Sequence, residues 1–359
     1  MLLVDVDSGD ARQCADAVLA AVRSEGVHSP GIVGELLQNT VELVTGVCRT
    51  VGEAGEDLAR SLERVRTAAR PMRVAPTGAG THPFARWAEQ RVTDSERYAT
   101  LIDRTQWWGR QMTIYGVHAH VGVAHRDALI PLTNALLTEL GPMLAMSASS
   151  PFWQAETTRY ASNRSLLFQQ LPTAGLPYEL SDWAQYEAYI DDMRTMGVIE
   201  HINEIRWDIR PVPMFGTIEI RVADSMPTLR EVLALGALAQ CLVDDLFQRW
   251  SDGAPLPRLA PWQIAENKWR AARYGMDAHL VVAGGGEEPA GDRLRALVDR
   301  LMPTARTLGC ADELAGIDGI VEAGASYQRQ LAVAERTGGP GREVVAHLVE
   351  ETASNTLGA

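Results

Sequence analysis

The stretch Met112-Thr-Ile-Tyr-Gly-Val-His-Ala-His-Val-Gly-Val123 sorts its side chains into two lists. Successive residues of a β-strand point to opposite faces, so Tyr115, Val117, Ala119, Val121 and Val123 share one side. Ile114, Gly116, His118, His120 and Gly122 share the other. The first face packs against something apolar. The second sets two imidazoles ~7 Å apart between glycines that leave open space. Taken alone, this strand fits a solvated sheet face as well as a site. The same alternation then recurs. Over Glu204 to Arg210, Ile205, Trp207 and Ile209 oppose Glu204, Arg206, Asp208 and Arg210; over Thr217 to Ala223, Ile218, Ile220 and Val222 oppose Thr217, Glu219, Arg221 and Ala223. A weaker run, Gln38 to Val44, places Gln38, Thr40 and Glu42 opposite Leu37, Val41 and Leu43. The turn Arg210-Pro-Val-Pro-Met-Phe-Gly216 joins neighbouring strands and favours antiparallel pairing.

Between these strands helical periodicity dominates: Ala11 to Ser24, Gly52 to Arg70, Ser95 to Trp108, Arg126 to Ser147, Asp182 to Met196, Leu229 to Trp250, Arg293 to Leu308, and Cys310 through to Glu351. The class is α+β, expected as a single catalytic domain over 1–359 with a helical C-terminal section at about 291–352. Ala283 to Gly291 (AGGGEEPAG) reads as a linker-like loop with Gly284, Gly285 and Gly286 in a plain turn, and Trp250 to Trp262 as a second loop. Trp107 and Trp108 read as core.

The 359 residues carry 33 Lys and Arg against 46 Asp and Glu, a net charge of −13. So acidic a surface repels phosphate backbones and anionic lipid, which argues against nucleic acid and membrane as partners. Cys14, Cys48, Cys241 and Cys310 are widely spaced, with no CxxC or Cys/His cluster, so the expected compartment is the reducing cytoplasm. The longest apolar stretch, Val232 to Val243, is too short to span a bilayer. The N-terminus lacks the basic and apolar regions of a leader and opens directly on the strand-like run Leu2 to Val6.

Lys268 is the only lysine, whereas a solvated sheet face is rich in Lys, Thr, Ser and Gln. Arginine in its place suits bidentate recognition of carboxylate and phosphate. Glu42, Glu219 and an imidazole converging with Arg221 are the parts of a site for metal-bridged phosphates, where catalysis is positioning plus charge neutralisation. No GxxxxGK[ST], GxSxG, HExxH or strand-linked GxGxxG competes with it.

Gly80-Thr-His-Pro-Phe84, Tyr115-Gly-Val-His-Ala-His-Val-Gly122, Tyr160-Ala-Ser-Asn-Arg164, Leu171-Pro-Thr-Ala-Gly-Leu-Pro177, Thr217-Ile-Glu-Ile-Arg221 and Asn267-Lys-Trp-Arg-Ala-Ala-Arg273 stand in this order. Together they resemble successive blocks of the carboxylate-amine ligase family, also called glutamate-cysteine ligase type 2, in its actinobacterial branch. The resemblance runs from about residue 2 to the C-terminal helices. It implies a glutamine-synthetase-like antiparallel sheet, open and concave on its active face and backed by helices. It also implies a reaction: ATP, with Mg²⁺ or Mn²⁺, phosphorylates a substrate carboxylate, and an amine displaces the phosphate to form an amide. The substrates are then amino acids, typically glutamate and cysteine. The matching blocks assign metal ligation to His118, Glu219 and Glu42, and catalysis to Glu219 with the phosphate-stabilising Arg221. Substrate contact is expected of His120, Arg164 and His82, although His82 equally reads as the cap of a local turn. Nucleotide contact is expected of Lys268, Arg270 and Arg273, equally readable as a basic helix face. Self-association into a homo-oligomer is a further implication.

One block of the family departs. A strand Gly-Val-Glu-x-Glu-Phe precedes Leu3-Val4-Asp5 in the family, and Met1 stands where its Phe would be. The expectation drawn from this is a weakened metal site, with a catalytically impaired ligand-binding or partner-subunit homologue as the rival reading. A third reading is an ATP-independent metal hydrolase using His118, His120 and Glu219. Because polar-face residues add little packing, Glu219→Ala and His118→Ala are expected to abolish turnover with the melting temperature nearly unchanged.

Overall fold

The computed structural model describes residues 1–24 and 31–357. Thr217–Ile220 is the middle strand of a three-stranded antiparallel sheet, flanked by Ile209–Val212 and Ala119–Gly122. Gly216, at φ 63°, takes the left-handed corner of the hairpin between the first two, a conformation that only glycine adopts freely. The apolar list of each strand goes inward as expected: Ile209, Ile218, Ile220 and Val222 are fully buried against helices Leu129–Leu136 and Leu229–Ser251. The second of these helices starts with a capping box. The Thr228 hydroxyl accepts from the Glu231 N–H at 3.2 Å, and the Glu231 carboxylate accepts in return from the Thr228 N–H.

The strands are shorter than their patterns. Met112 to Val123 forms a ladder only over Ala119–Gly122, its earlier part touching neighbours through single bridges at Ile114 and Gly116. Glu204 to Arg210 splits into a 3₁₀ turn Ile202–Glu204, a two-residue strand Arg206–Trp207 and the start of Ile209–Val212. Leu2–Asp5 pairs with Val74–Thr77, and Ile32–Gly34 with Val41–Leu43. Arg206–Trp207 lies parallel to Ala174–Gly175. The α+β class and antiparallel pairing stand, but the sheet is divided among short ladders.

Helices fill the rest. The tract Arg126 to Ser147 is long and apolar enough to cross a membrane; 83% of its most apolar window is buried, as in a core helix. The periodic C-terminal tract is three helices, Ala311–Ala323, Ser326–Thr337 and Arg342–Ser354, broken at Gly324 and at Gly338-Gly339, all at positive φ. Ala283 to Gly291 is no linker. Its three glycines turn a hairpin between His279–Val281 and Glu287–Pro289. Pro261–Tyr274, partly read as loop, is a helix whose first residue is proline, where the missing N–H costs nothing. Trp107 and Trp108 are exposed, not core.

Candidate active site

Register brings the separate polar lists together. Glu219 pairs with Arg210 on one side and His120 on the other, so that three polar side chains form one rung across the sheet. Two residues on, the Arg221 N–H donates to the Asp208 carbonyl at 2.8 Å, and the Arg221 Nη1 lies 3.5 Å from His118 Nδ1. A second rung, Asp208–Arg221–His118, therefore stands above the first.

Glu219 is the centre of this face and is only 2% exposed. Its Oε2 accepts from Arg210 Nε at 2.5 Å and its Oε1 from Arg221 Nη1 at 2.5 Å. His118 and His120 approach Oε1 at 3.4 and 3.5 Å. Burial alone raises a carboxyl pKa; here the bond from His120 and the Arg221 and Arg210 charges outweigh it and hold Glu219 well below the usual carboxylate range. His118, a third of whose side chain meets solvent, is held well below the ordinary imidazole range by desolvation and by Arg221. It is neutral at pH 7. His120 Nδ1 lies 3.0 Å from the Thr217 hydroxyl.

Arg221 is braced from behind. Arg164, 3% exposed, donates from Nη2 to the Arg221 carbonyl (3.1 Å) and from Nη1 to the Val222 carbonyl (3.2 Å). Asp224 faces it at 3.8 Å and accepts from the Ser150 and Ser162 hydroxyls and the Ser149 N–H. The Phe168 ring lies 5.7 Å from the Arg164 guanidinium and 5.8 Å from that of Arg221. Arg164 thus holds the strand that carries Arg221, and its burial sets it apart from the expected substrate contact. Of these supports, Asp224, Ser149, Ser150, Ser162 and Phe168 escaped the sequence reading. Asp224 directly follows a recognised strand, the one signal that pointed to it.

Other expected residues lie elsewhere. His82 is buried, with Nε2 2.9 Å from the Gly9 carbonyl and Nδ1 accepting from the N–H groups of Phe84 and Ala85. It caps a turn. Arg270 is tied to Glu266 at 2.7 Å and Glu287 at 2.6 Å, and Arg273 lies over the rings of Tyr160 and Tyr274 while donating to the Arg159 carbonyl. Only Lys268 of the three turns toward the sheet, where its Nζ donates to Asp208 Oδ2 at 2.6 Å. Glu42 lies within electrostatic reach of Arg221; burial and the neighbouring Glu35 raise its pKa.

The arrangement suits an anion. Arg210 and Arg221 share one carboxylate, which leaves a cationic surplus, and Arg206 adds to it. Burial and the nearby Arg221, Arg104 and Arg210 pull Arg206 down from the usual arginine range. Arg221 Nε is buried and has no hydrogen-bond partner among the described residues. The arrangement does not suit a divalent cation. Such an ion takes carboxylate oxygens, yet both oxygens of Glu219 are held by guanidiniums, and no group of three or more His, Cys, Asp or Glu side chains among the described residues is arranged to hold a metal ion.

Comparison with known proteins gives this sheet its class, that of an ATP-dependent carboxylate–amine ligase. The chain belongs to glutamate-cysteine ligase family 2, whose family model matches residues 1–350. It is 54% identical over 353 residues to "Putative glutamate--cysteine ligase 2" of Clavibacter sepedonicus, covering 98% of this chain and 92% of that one. It is 51% identical over 358 residues to "Putative glutamate--cysteine ligase 2-1" of Arthrobacter sp. (strain FB24), covering 98% and 94%. Among solved structures, a bifunctional glutathione synthetase from Pasteurella multocida superposes with a TM-score of 0.64 at 14% identity. That match covers 99% of this chain, which spans half the length of the synthetase, and it speaks for the fold alone.

Proposed function

We propose that this ligase activates the side-chain carboxylate of an acidic amino acid, glutamate by analogy with the names its relatives carry, and joins it to the amine of a second amino acid such as cysteine. A carboxylate oxygen attacks the γ-phosphorus of ATP, the bond to ADP breaks and an acyl phosphate forms. The amine nitrogen then attacks the acyl carbon, phosphate leaves, and the nitrogen gives up its proton. Arg221 neutralises charge that grows on the transferred phosphoryl oxygens. Glu219 holds the Arg221 and Arg210 guanidiniums through its two carboxylate oxygens, and Arg164 holds the backbone of Arg221. His118, neutral at pH 7, and His120 border the reacting groups as hydrogen-bond partners. The glutamine-synthetase-like description of the sheet belongs to this proposal as well. The divalent cation of the family enters no step here, because both oxygens of Glu219 face guanidiniums and no side-chain group among the described residues is arranged to hold it.

The observation that carries this reading is the partnerless, buried Nε of Arg221 on a face with surplus positive charge. The family match over residues 1–350 and the names of the relatives favour neither the impaired-homologue nor the hydrolase reading. The test is coupled release of ADP on adding glutamate and cysteine, with the amide product identified by mass spectrometry. ADP released without a carboxylate, or no nucleotide turnover with any amino-acid pair, overturns it.

A further inference from the structure

Helix Pro261–Tyr274 buries one stripe, Ile264, Asn267, Lys268, Ala271 and Ala272, at the spacing of an amphipathic helix. The chain's single lysine therefore stands on the packed face, not the solvated one. Its Nζ donates to Asp208 Oδ2 at 2.6 Å, and neither side chain is more than 6% exposed. The helix is fixed beside it, because Asn267 donates to the Val281 carbonyl at 2.9 Å and accepts from the Val281 N–H at 2.7 Å. Resting on the ligase reading above, we propose that Lys268 is a positioning residue that acts through Asp208. It holds that carboxylate off Arg221 and so leaves the Arg221 guanidinium free for phosphate, without touching phosphate itself.

Asp208 is the natural rival for Arg221. Its carbonyl accepts the Arg221 N–H at 2.8 Å, its own N–H donates to the Gly175 carbonyl at 2.8 Å, and the backbone thus fixes it across the strand pair from Arg221. Opposite charges so placed attract, and a carboxylate facing a guanidinium gains a charge-assisted bond. Burial pulls the Arg221 pKa down, and Glu219 and, more weakly, Asp208 are the carboxylates that oppose it. Even so, Arg221 Nη1 goes to Glu219, and Arg221 Nε has no partner among the described residues. The Lys268 ammonium is what occupies Asp208 instead.

The same pairing argues against a direct bond from Lys268 to an anion, since a buried ammonium at 2.6 Å from a carboxylate presents no net charge. Removing one member of such a pair leaves the other bare, whereas replacing both by neutral groups of similar volume is often close to neutral. A bare Asp208 is expected to turn to the open donor of Arg221. A neutral side chain at 208 has no reason to.

The experiment measures calorimetric binding of ATP and of inorganic tripolyphosphate to the full chain. Lys268→Met keeps the stem and removes the charge, and is expected to weaken both probes by about tenfold or more. Asp208→Asn removes the rival carboxylate and is expected to bind tripolyphosphate at least as tightly as the unsubstituted chain. Lys268→Met combined with Asp208→Asn is expected to return to within about threefold of the unsubstituted chain. Lys268→Arg should rescue to the same degree, because the charge is kept and the cavity of about 510 Å³ that Lys268 lines has room for the larger head. If the double variant binds as weakly as Lys268→Met, Lys268 contacts phosphate directly and the proposal is overturned. If Lys268→Met loses stability while its folded form binds both probes normally, the ion pair serves packing alone and the proposal is equally overturned. Should Lys268→Met fail to fold, the other two variants decide: tripolyphosphate binding weakened beyond about threefold in Asp208→Asn or in the double variant overturns it. Each of these failures leaves the ligase reading standing. If the unsubstituted chain binds neither probe, the ligase reading fails and the role of Lys268 with it.

Discussion

Glu219 illustrates how far one residue's role follows from alternation. Its face was legible, because a strand's period of two sorts side chains without reference to anything else. Its burial was not, since that depends on Arg210 and Arg221 closing over it from neighbouring backbone positions. The expectation that Glu219→Ala spares stability is therefore withdrawn. Removing one partner of a buried ion pair leaves the others uncompensated, so Glu219→Gln should cost about 3–5 kcal/mol in urea unfolding. Arg221→Lys is the cleaner probe of catalysis. It keeps the charge but gives up the guanidinium fork, and turnover should drop on the order of 100-fold while the fold survives. A loss below about threefold removes Arg221 from the phosphoryl site. His82 offers a pH test. Its Nδ1 accepts two backbone N–H groups, so protonation breaks both bonds, and burial lowers its pKa from 6.5 to about 4. Between pH 6.5 and 4 the unfolded chain takes up a proton that the folded chain refuses. Stability falls with pH across that window, by on the order of 3 kcal/mol, and the contribution is fully present above pH 6.5. In His82→Gln this part of the stability–pH slope should flatten; an unchanged slope would show that His82 is not its source.

At the scale of elements, amphipathic helices read well wherever a cap or a glycine marks their ends, as with Thr228 and Glu231 at the start of Leu229–Ser251. Ladders read poorly. Met112 to Val123 has a full strand pattern, but its ladder covers only Ala119–Gly122; Gly116, which keeps a single bridge to Asp224, lies against the Arg164 guanidinium, and no local sequence signal records an arginine 48 positions away. That crossing is testable. A Cβ on Gly116 would come within 2.2 Å of Arg164 Nη2, in a place where Arg164 is 3% exposed and hydrogen-bonded to two carbonyls. Gly116→Ala should therefore destabilise by about 1–3 kcal/mol. It should also lower turnover, since the displaced Arg164 frees the backbone of Arg221. Gly122→Ala, with open space around its Cβ, is the control and should do neither. Equal effects of the two substitutions would mean that glycine is needed in this strand for its backbone freedom and not for the space it leaves.

Over the whole molecule, charge was the property most exposed in the composition and the easiest to misread. The sum of −13 argued against polyanions, yet the face that the fold assembles is cationic, because Arg206, Arg210 and Arg221 come from segments whose register only the tertiary structure sets. The two scales act in opposite directions on an incoming nucleotide. On approach, within about a Debye length of the surface, the acidic envelope repels ATP; at the sheet face the guanidiniums attract it, and partly buried charges are screened much less than exposed ones. Added salt therefore weakens the repulsion more than the attraction. The association rate of ATP, followed by stopped-flow fluorescence, should rise by about two- to tenfold between 20 and 200 mM monovalent salt, while the dissociation rate changes little. A site that steers its ligand with a positive surface behaves the other way. An association rate that falls with salt would mean that the field of the arginine face reaches beyond the acidic envelope, and that net charge says nothing about how this protein meets its nucleotide.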